Sequence, residues 1–185
     1  MGIPTLIKTL TATNSASLAF VDGASDVTLD STYDEYMFVF TDINPATNAV
    51  QFSFQVNATD DAGGGYDTSL ITSTYFYARH TEADASEMGY HTSHDAAQSS
   101  SHVDLQASIG NGSDESIAGV FHLFSPSSTT YVKHWYSHIS GMHSGPSAQD
   151  VFAAGYINDT TAIDEIQFKM SSGNFDGVIQ LYGIA

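Results

Sequence analysis

Apolar and polar residues alternate with a period of two along most of this chain. Val50, Phe52, Phe54 and Val56 alternate with Gln51, Ser53, Gln55 and Asn57, which predicts a strand with one buried face and one wet face. Ile166, Phe168 and Met170 alternate with Glu165, Gln167 and Lys169 in the same way. Other runs are apolar on both sides. Tyr36, Phe38 and Phe40 oppose Met37 and Val39, and Phe121 and Leu123 oppose Val120 and Phe124. A strand apolar on both sides needs a second cover, from its own chain or from a neighbouring subunit.

Strands are expected near 17–21, 26–29, 35–43, 49–57, 70–79, 103–109, 116–124, 130–140, 150–157, 163–170 and 175–184. Turn-forming pairs and triplets separate them: Asp22-Gly23, Asn44-Pro45, Gly63-Gly64-Gly65, Gly110-Asn111-Gly112, Ser125-Pro126, Gly145-Pro146 and Gly173-Asn174. Thr, Tyr, Phe, Val and Ile fill the runs, as strands prefer. Many short strands without a helical period predict an all-β fold, an antiparallel β-sandwich of jelly-roll type. Two stretches stand apart. Residues 1–16, rich in Thr and Ser, read as an extended N-terminal arm that lies on a neighbour or pairs at a sheet edge. Residues 17–185 then form one sandwich domain. Residues 80–102 read as a long polar loop, with one or two helical turns between Glu82 and Met88. A loop of that length in a compact domain is usually functional or poorly ordered.

Composition narrows the class. The chain has 185 residues, of which 42% are hydrophobic and only 14% charged, so it builds a core rather than staying disordered. Asp and Glu number 21 against 4 Lys and Arg, a net charge of -17. That balance argues against a nucleic-acid partner and against docking on anionic membrane, since both need basic residues. No cysteine is present, so thiolate chemistry and disulfides are excluded. No apolar run reaches the ~18 residues of a membrane helix. Residues 1–8 show no apolar signal segment, so the three matches to the glycosylation pattern at Asn57, Asn111 and Asn158 read as chance.

Candidate chemistry is sparse. His134 and His138 would share a face on a helix, but on a strand they stand ~13 Å apart, too far for one ion. His91 and His94 would point to opposite faces of a strand and would converge only on a helical turn or in a loop, with Asp95 or His102 as a third ligand. The favoured reading for both pairs is sheet-edge histidine. Asp60, Asp61 and Asp67 flank a Gly63-Gly64-Gly65 turn and form the best calcium candidate, but the spacing does not match an EF-hand loop and an acidic, mobile hairpin tip is the favoured reading. Tyr75, Tyr77, Tyr131, Trp135 and Tyr136 are flat rings suited to stacking on sugars, with cross-strand packing as the plainer account. No G-x-S-x-G elbow or phosphate-binding glycine loop occurs. Ser, His and Asp are too abundant for any triad to be informative. The expectation is therefore no catalytic residue, no metal ligand and no cofactor.

The C-terminus carries a resemblance. Ala162-Ile163-Asp164-Glu165-Ile166-Gln167-Phe168-Lys169-Met170-Ser171-Ser172-Gly173-Asn174-Phe175 is followed by Gly177-Val178-Ile179-Gln180-Leu181-Tyr182-Gly183-Ile184. This resembles the ending of structural proteins of tailed bacteriophages, which close on an "SGNF…LYGI" pair of strands. Ile7 to Ala12, Phe20 to Gly23, Leu29 to Tyr33, Asp42 to Thr47 and Ser127 to His134 are similar to marine phage proteins of this size. In the last strand Phe175, Ile179 and Leu181 share one face and Val178, Tyr182 and Ile184 the other, so cover on both sides is expected.

The resemblance implies a non-enzymatic virion protein on the outer surface of the particle, made in the host cytoplasm. The first expectation is an outer-capsid decoration or cement protein. Its partners would be the major capsid protein and copies of itself, a trimer first. The alternative is a tail-associated appendage or fibre module, attached to a tail protein and binding a host surface glycan. A hydrolase on a β-sandwich is the chemically distinct third reading. The acidic surface suits a position outside the shell, because it repels DNA and keeps an abundant protein monodisperse.

Overall fold

A computed structural model describes residues 2–59, 65–66 and 69–185. Among them there are thirteen strands and no helix. In chain order they are β1 (Thr5–Ser15), β2 (Ser17–Val21), β3 (Glu35–Pro45), β4 (Val50–Ala58), β5 (Ile71–Thr81), β6 (Ser86–Tyr90), β7 (Ala96–Ser99), β8 (Val103–Ile109), β9 (Ile117–Phe124), β10 (Lys133–His143), β11 (Ser147–Ile157), β12 (Ile163–Met170) and β13 (Phe175–Ile184). Every pairing is antiparallel.

One large sheet runs β1-β13-β3-β9-β10-β11-β5, with β6 and β7 both on the far side of β5. A smaller sheet runs β2-β12-β4-β8. A single pairing of His143 with Ile109 carries the first into the second. The result is an antiparallel β-sandwich, curled towards a barrel.

The two inner faces meet in an aromatic core. Phe168 on β12 packs with ring centres 5.2 Å from Phe40, 5.3 Å from Phe38, and 5.9 Å from Phe52 and Phe121. Phe54 stands 4.8 Å from Trp135, and Trp135 stacks on Phe121. The period-two pattern holds strictly on β10. Lys133, Trp135, Ser137 and Ile139 are buried, while His134, Tyr136, His138 and Ser140 face out. Lys133 is the one buried cation of that face. Its Nζ donates to the carbonyls of Asp159 and Thr161, which ties the loop between β11 and β12 to the sheet. The final hairpin turns at Gly173, whose φ of 76° favours glycine. Gly177 sits at a bulge with φ 135°, where a Cβ would meet the Asp42 carbonyl oxygen at 2.7 Å.

Four expectations need correction or refinement. Residues 26–29 are not a strand. Ser25 and Asp26 take positive φ, and the Asp22 carboxylate accepts the Leu29 N–H at 2.8 Å, so a side-chain-capped loop replaces ladder bonds. Val27 and Leu29 are buried all the same. Of the two placements expected for residues 1–16, residues 5–15 take the sheet edge, as β1 pairing with β13 from Thr5↔Gly183 to Ser15↔Phe175. The helical turns expected between Glu82 and Met88 are absent. A tight turn leads into β6, which pairs with β5 from Phe76↔Tyr90 to His80↔Ser86. The Arg79–Glu87 ion pair at 2.6 Å and the Phe76–Tyr90 ring contact at 5.2 Å reward strand over helix there. Finally, β13 is covered on one side only: Phe175, Ile179 and Leu181 are buried, whereas Val178, Tyr182 and Ile184 are half-buried.

Candidate docking face and histidine pocket

The outer face of the large sheet has no second layer among the described residues. Register lines its side chains into rows. One row crosses from Thr9 through Gln180, Val39, Val120, His138, Phe152 and Phe76 to Tyr90. The next runs Leu6, Tyr182, Met37, His122, Tyr136, Ala154 and Thr74. These are the positions that made β3 and β9 apolar on both sides. No other part of the described chain supplies the cover the pattern demands.

The face is most apolar over β10, β11, β5 and β6. Phe76 is 51% exposed, Phe152 50%, Tyr90 45% and Met88 85%. Phe76, Met88, Tyr90 and Phe152 line a shallow groove of about 340 Å³. Ring contacts hold the row in place: His138 stacks on Phe152 at 4.0 Å, and His122 on Tyr136 at 4.5 Å. Charge avoids this region. Of the chain's 21 acidic residues, β5, β10 and β11 together carry only Asp150, which bonds to His138 Nε2 at 2.8 Å, while β6 adds Glu87, paired with Arg79, and Asp95 accepts from the Tyr90 hydroxyl at the edge of the face. An apolar, charge-poor face on a chain of net charge -17 is the composition of an interface core.

A different site lies on the opposite side of β5. There Tyr77 and Arg79 alternate with the outward Phe76 and Ala78, and with Glu87, His91, His94, His143 and Gln149 they line a polar pocket of about 210 Å³. A turn after β6, closed by the His94 N–H donating to the His91 carbonyl at 3.2 Å, brings the two imidazoles within 4.4 Å. His94 Nδ1 bonds to Asp104 Oδ2 at 2.7 Å. Arg79 pairs with Glu87, and its Nη1 lies 3.2 Å from His143 Nε2. Burial first, then the neighbouring His94, lowers the His91 pKa below 6.5. Burial first, then Arg79, does the same to His143. Both rings are therefore neutral at neutral pH.

The other residues singled out from the sequence scatter. His134 and His138 face out from β10 as expected of a strand, with the His134 ring 6.4 Å from Tyr156. His91 and His94 do converge. Neither expected third ligand joins them: Asp95 accepts from the Tyr90 hydroxyl at 2.5 Å, and His102 bonds to Gln167 at 3.2 Å. Among the described residues no three histidine or carboxylate groups form a metal-binding cluster. The Asp60, Asp61 and Asp67 calcium candidate lies outside the described residues. Of the five candidate sugar-stacking rings, Tyr75 and Trp135 are core, at 0% and 2% exposure. Tyr77 lines the polar pocket, and Tyr131 and Tyr136 are exposed. The sequence reading missed Phe76, Phe152 and His143. Phe76 sits in a Tyr-Phe-Tyr run whose two-sided character was the available signal.

The fold and the site define an all-β sandwich with an uncovered apolar sheet face. No protein family, no curated protein and no solved structure matches the chain.

Proposed function

We propose that this chain is a non-enzymatic virion structural protein, an outer-capsid decoration protein that docks through the outer face of β9, β10, β11, β5 and β6. The observation that carries the reading is the uncovered row from Val39 and Val120 to Phe152, Phe76 and Tyr90, whose central strands β10, β11 and β5 carry a single carboxylate, Asp150. Desolvating aromatic rings without desolvating charge is the least costly way for so acidic a chain to bind. The resemblance of residues 162–184 to phage structural proteins supplies the setting. The partners in this reading are the major capsid protein and further copies of the chain. The alternative, a tail appendage that binds a glycan, is favoured by one feature. The Phe76–Met88–Tyr90–Phe152 groove offers exposed flat rings of the kind sugars stack on.

Quantitative mass spectrometry of gradient-purified particles separates these readings. Copies near the number of the major capsid protein support decoration. A few copies per particle favour the appendage. Absence from particles overturns both.

A further inference from the structure

We propose that His91 and His94 form an open binding site for one divalent transition-metal ion, nickel or copper rather than zinc, with water completing the coordination. The two imidazoles lie close together across the turn after β6, with ring centres 4.4 Å apart and ring planes tilted by 55°. An imidazole nitrogen binds such an ion at about 2.0–2.1 Å. Each ring centre then lies ~3.2 Å from an ion held in both ring planes, and centres 4.4 Å apart subtend roughly 90° at it. That is the cis angle of octahedral or tetragonal coordination. Zinc in protein sites prefers tetrahedral angles and three or four protein ligands, which this pocket does not assemble.

Three further features fit. The Asp104 carboxylate holds His94 by Nδ1 at 2.7 Å, so Nδ1 carries the proton and Nε2 keeps its lone pair for an ion. This carboxylate–histidine pairing orients metal-binding imidazoles in general. The His91 ring makes no hydrogen bond to another described residue. Gln149 lines the same pocket, is 6% exposed, and its Oε1 is buried without a partner. A metal-bound water is a donor of the kind that atom lacks. The electrostatics permit a cation: Glu87 offsets Arg79 at 2.6 Å, Asp104 adds a negative charge, and the whole chain stands at -17.

The test is titration of the purified full chain with copper(II), read by calorimetry and by electron paramagnetic resonance. The expected result is one ion per chain with nitrogen superhyperfine lines from two imidazoles. His94→Ala should weaken binding at least ~100-fold, and Asp104→Asn, which removes only the orienting carboxylate, at least ~10-fold. His134→Ala, on the outer face, should change nothing. His91→Gln serves as the second variant if His94→Ala alters the melting temperature. No binding, or binding that His91→Gln and His94→Ala leave intact, overturns the proposal. So does weakening by His134→Ala.

Discussion

Replacing Phe76 and Phe152 together by serine separates docking from folding. Both rings are about half exposed in the isolated chain, at 51% and 50%. A Phe side chain offers ~200 Å² to be buried, so each leaves ~100 Å² for a partner to cover. At ~25 cal/mol per Å² that is ~2.5 kcal/mol per ring and ~5 kcal/mol for the pair, or more than 1,000-fold in affinity. Within the chain the substitution removes two ring pairs, Phe76–Tyr90 at 5.2 Å and His138–Phe152 at 4.0 Å. Each is worth ~0.5–1.5 kcal/mol, which lowers Tm by roughly 2–12 °C for a chain this size. Co-sedimentation of fluorescent protein with particles stripped of it measures the affinity, and calorimetry measures Tm. Affinity within threefold of the parent would refute the docking face. Loss of the folded state would show that the rings belong to the core instead.

Phe168→Ala removes the hub of the aromatic core and should cost ~3–5 kcal/mol, a fall in Tm of roughly 6–20 °C by calorimetry; a fall under ~2 °C would show that the cluster repacks. Deleting residues 1–15 bares the hydrogen-bonding edge of β13, so Tm should drop and size-exclusion chromatography should show added self-association; an unchanged elution volume with unchanged Tm would contradict this. Stability should also fall at both ends of the pH range. Burial, the largest cause, raises the pKa of Tyr36 and Tyr75 above 10.0, so the folded state holds protons that the unfolded chain releases. Stability therefore declines as pH rises through 10. Burial lowers the His102 pKa below 6.5, so the unfolded chain binds the extra proton and stability declines as pH falls below that value. A Tm flat from pH 5 to 11 would remove both effects.

The period of two was enough to place most strands, because alternation records which side of a pleated ribbon is dry. Ile163–Met170 and Phe175–Ile184 match the expected 163–170 and 175–184 to the residue, each bounded by strong turn formers. The sequence also showed that β3 and β9 were apolar on both sides and needed a second cover. Tertiary structure decided the rest. Alternation is blind to partner and register, so it did not show that Val120, His138, Phe152, Phe76 and Tyr90 fall in one row across five strands. Nor did it separate Tyr75 and Trp135, which fill the core, from Tyr136, which faces out. It left residues 80–102 as loop because β6 and β7 are short and polar. They become strands only by pairing with β5, through contacts such as Arg79–Glu87 that join residues of a hairpin rather than one periodic run. The histidine pocket has the same origin. A single turn sets His91 beside His94, but Asp104 and Gln149 reach them from β8 and β11, and only the folding of the two sheets brings those strands together.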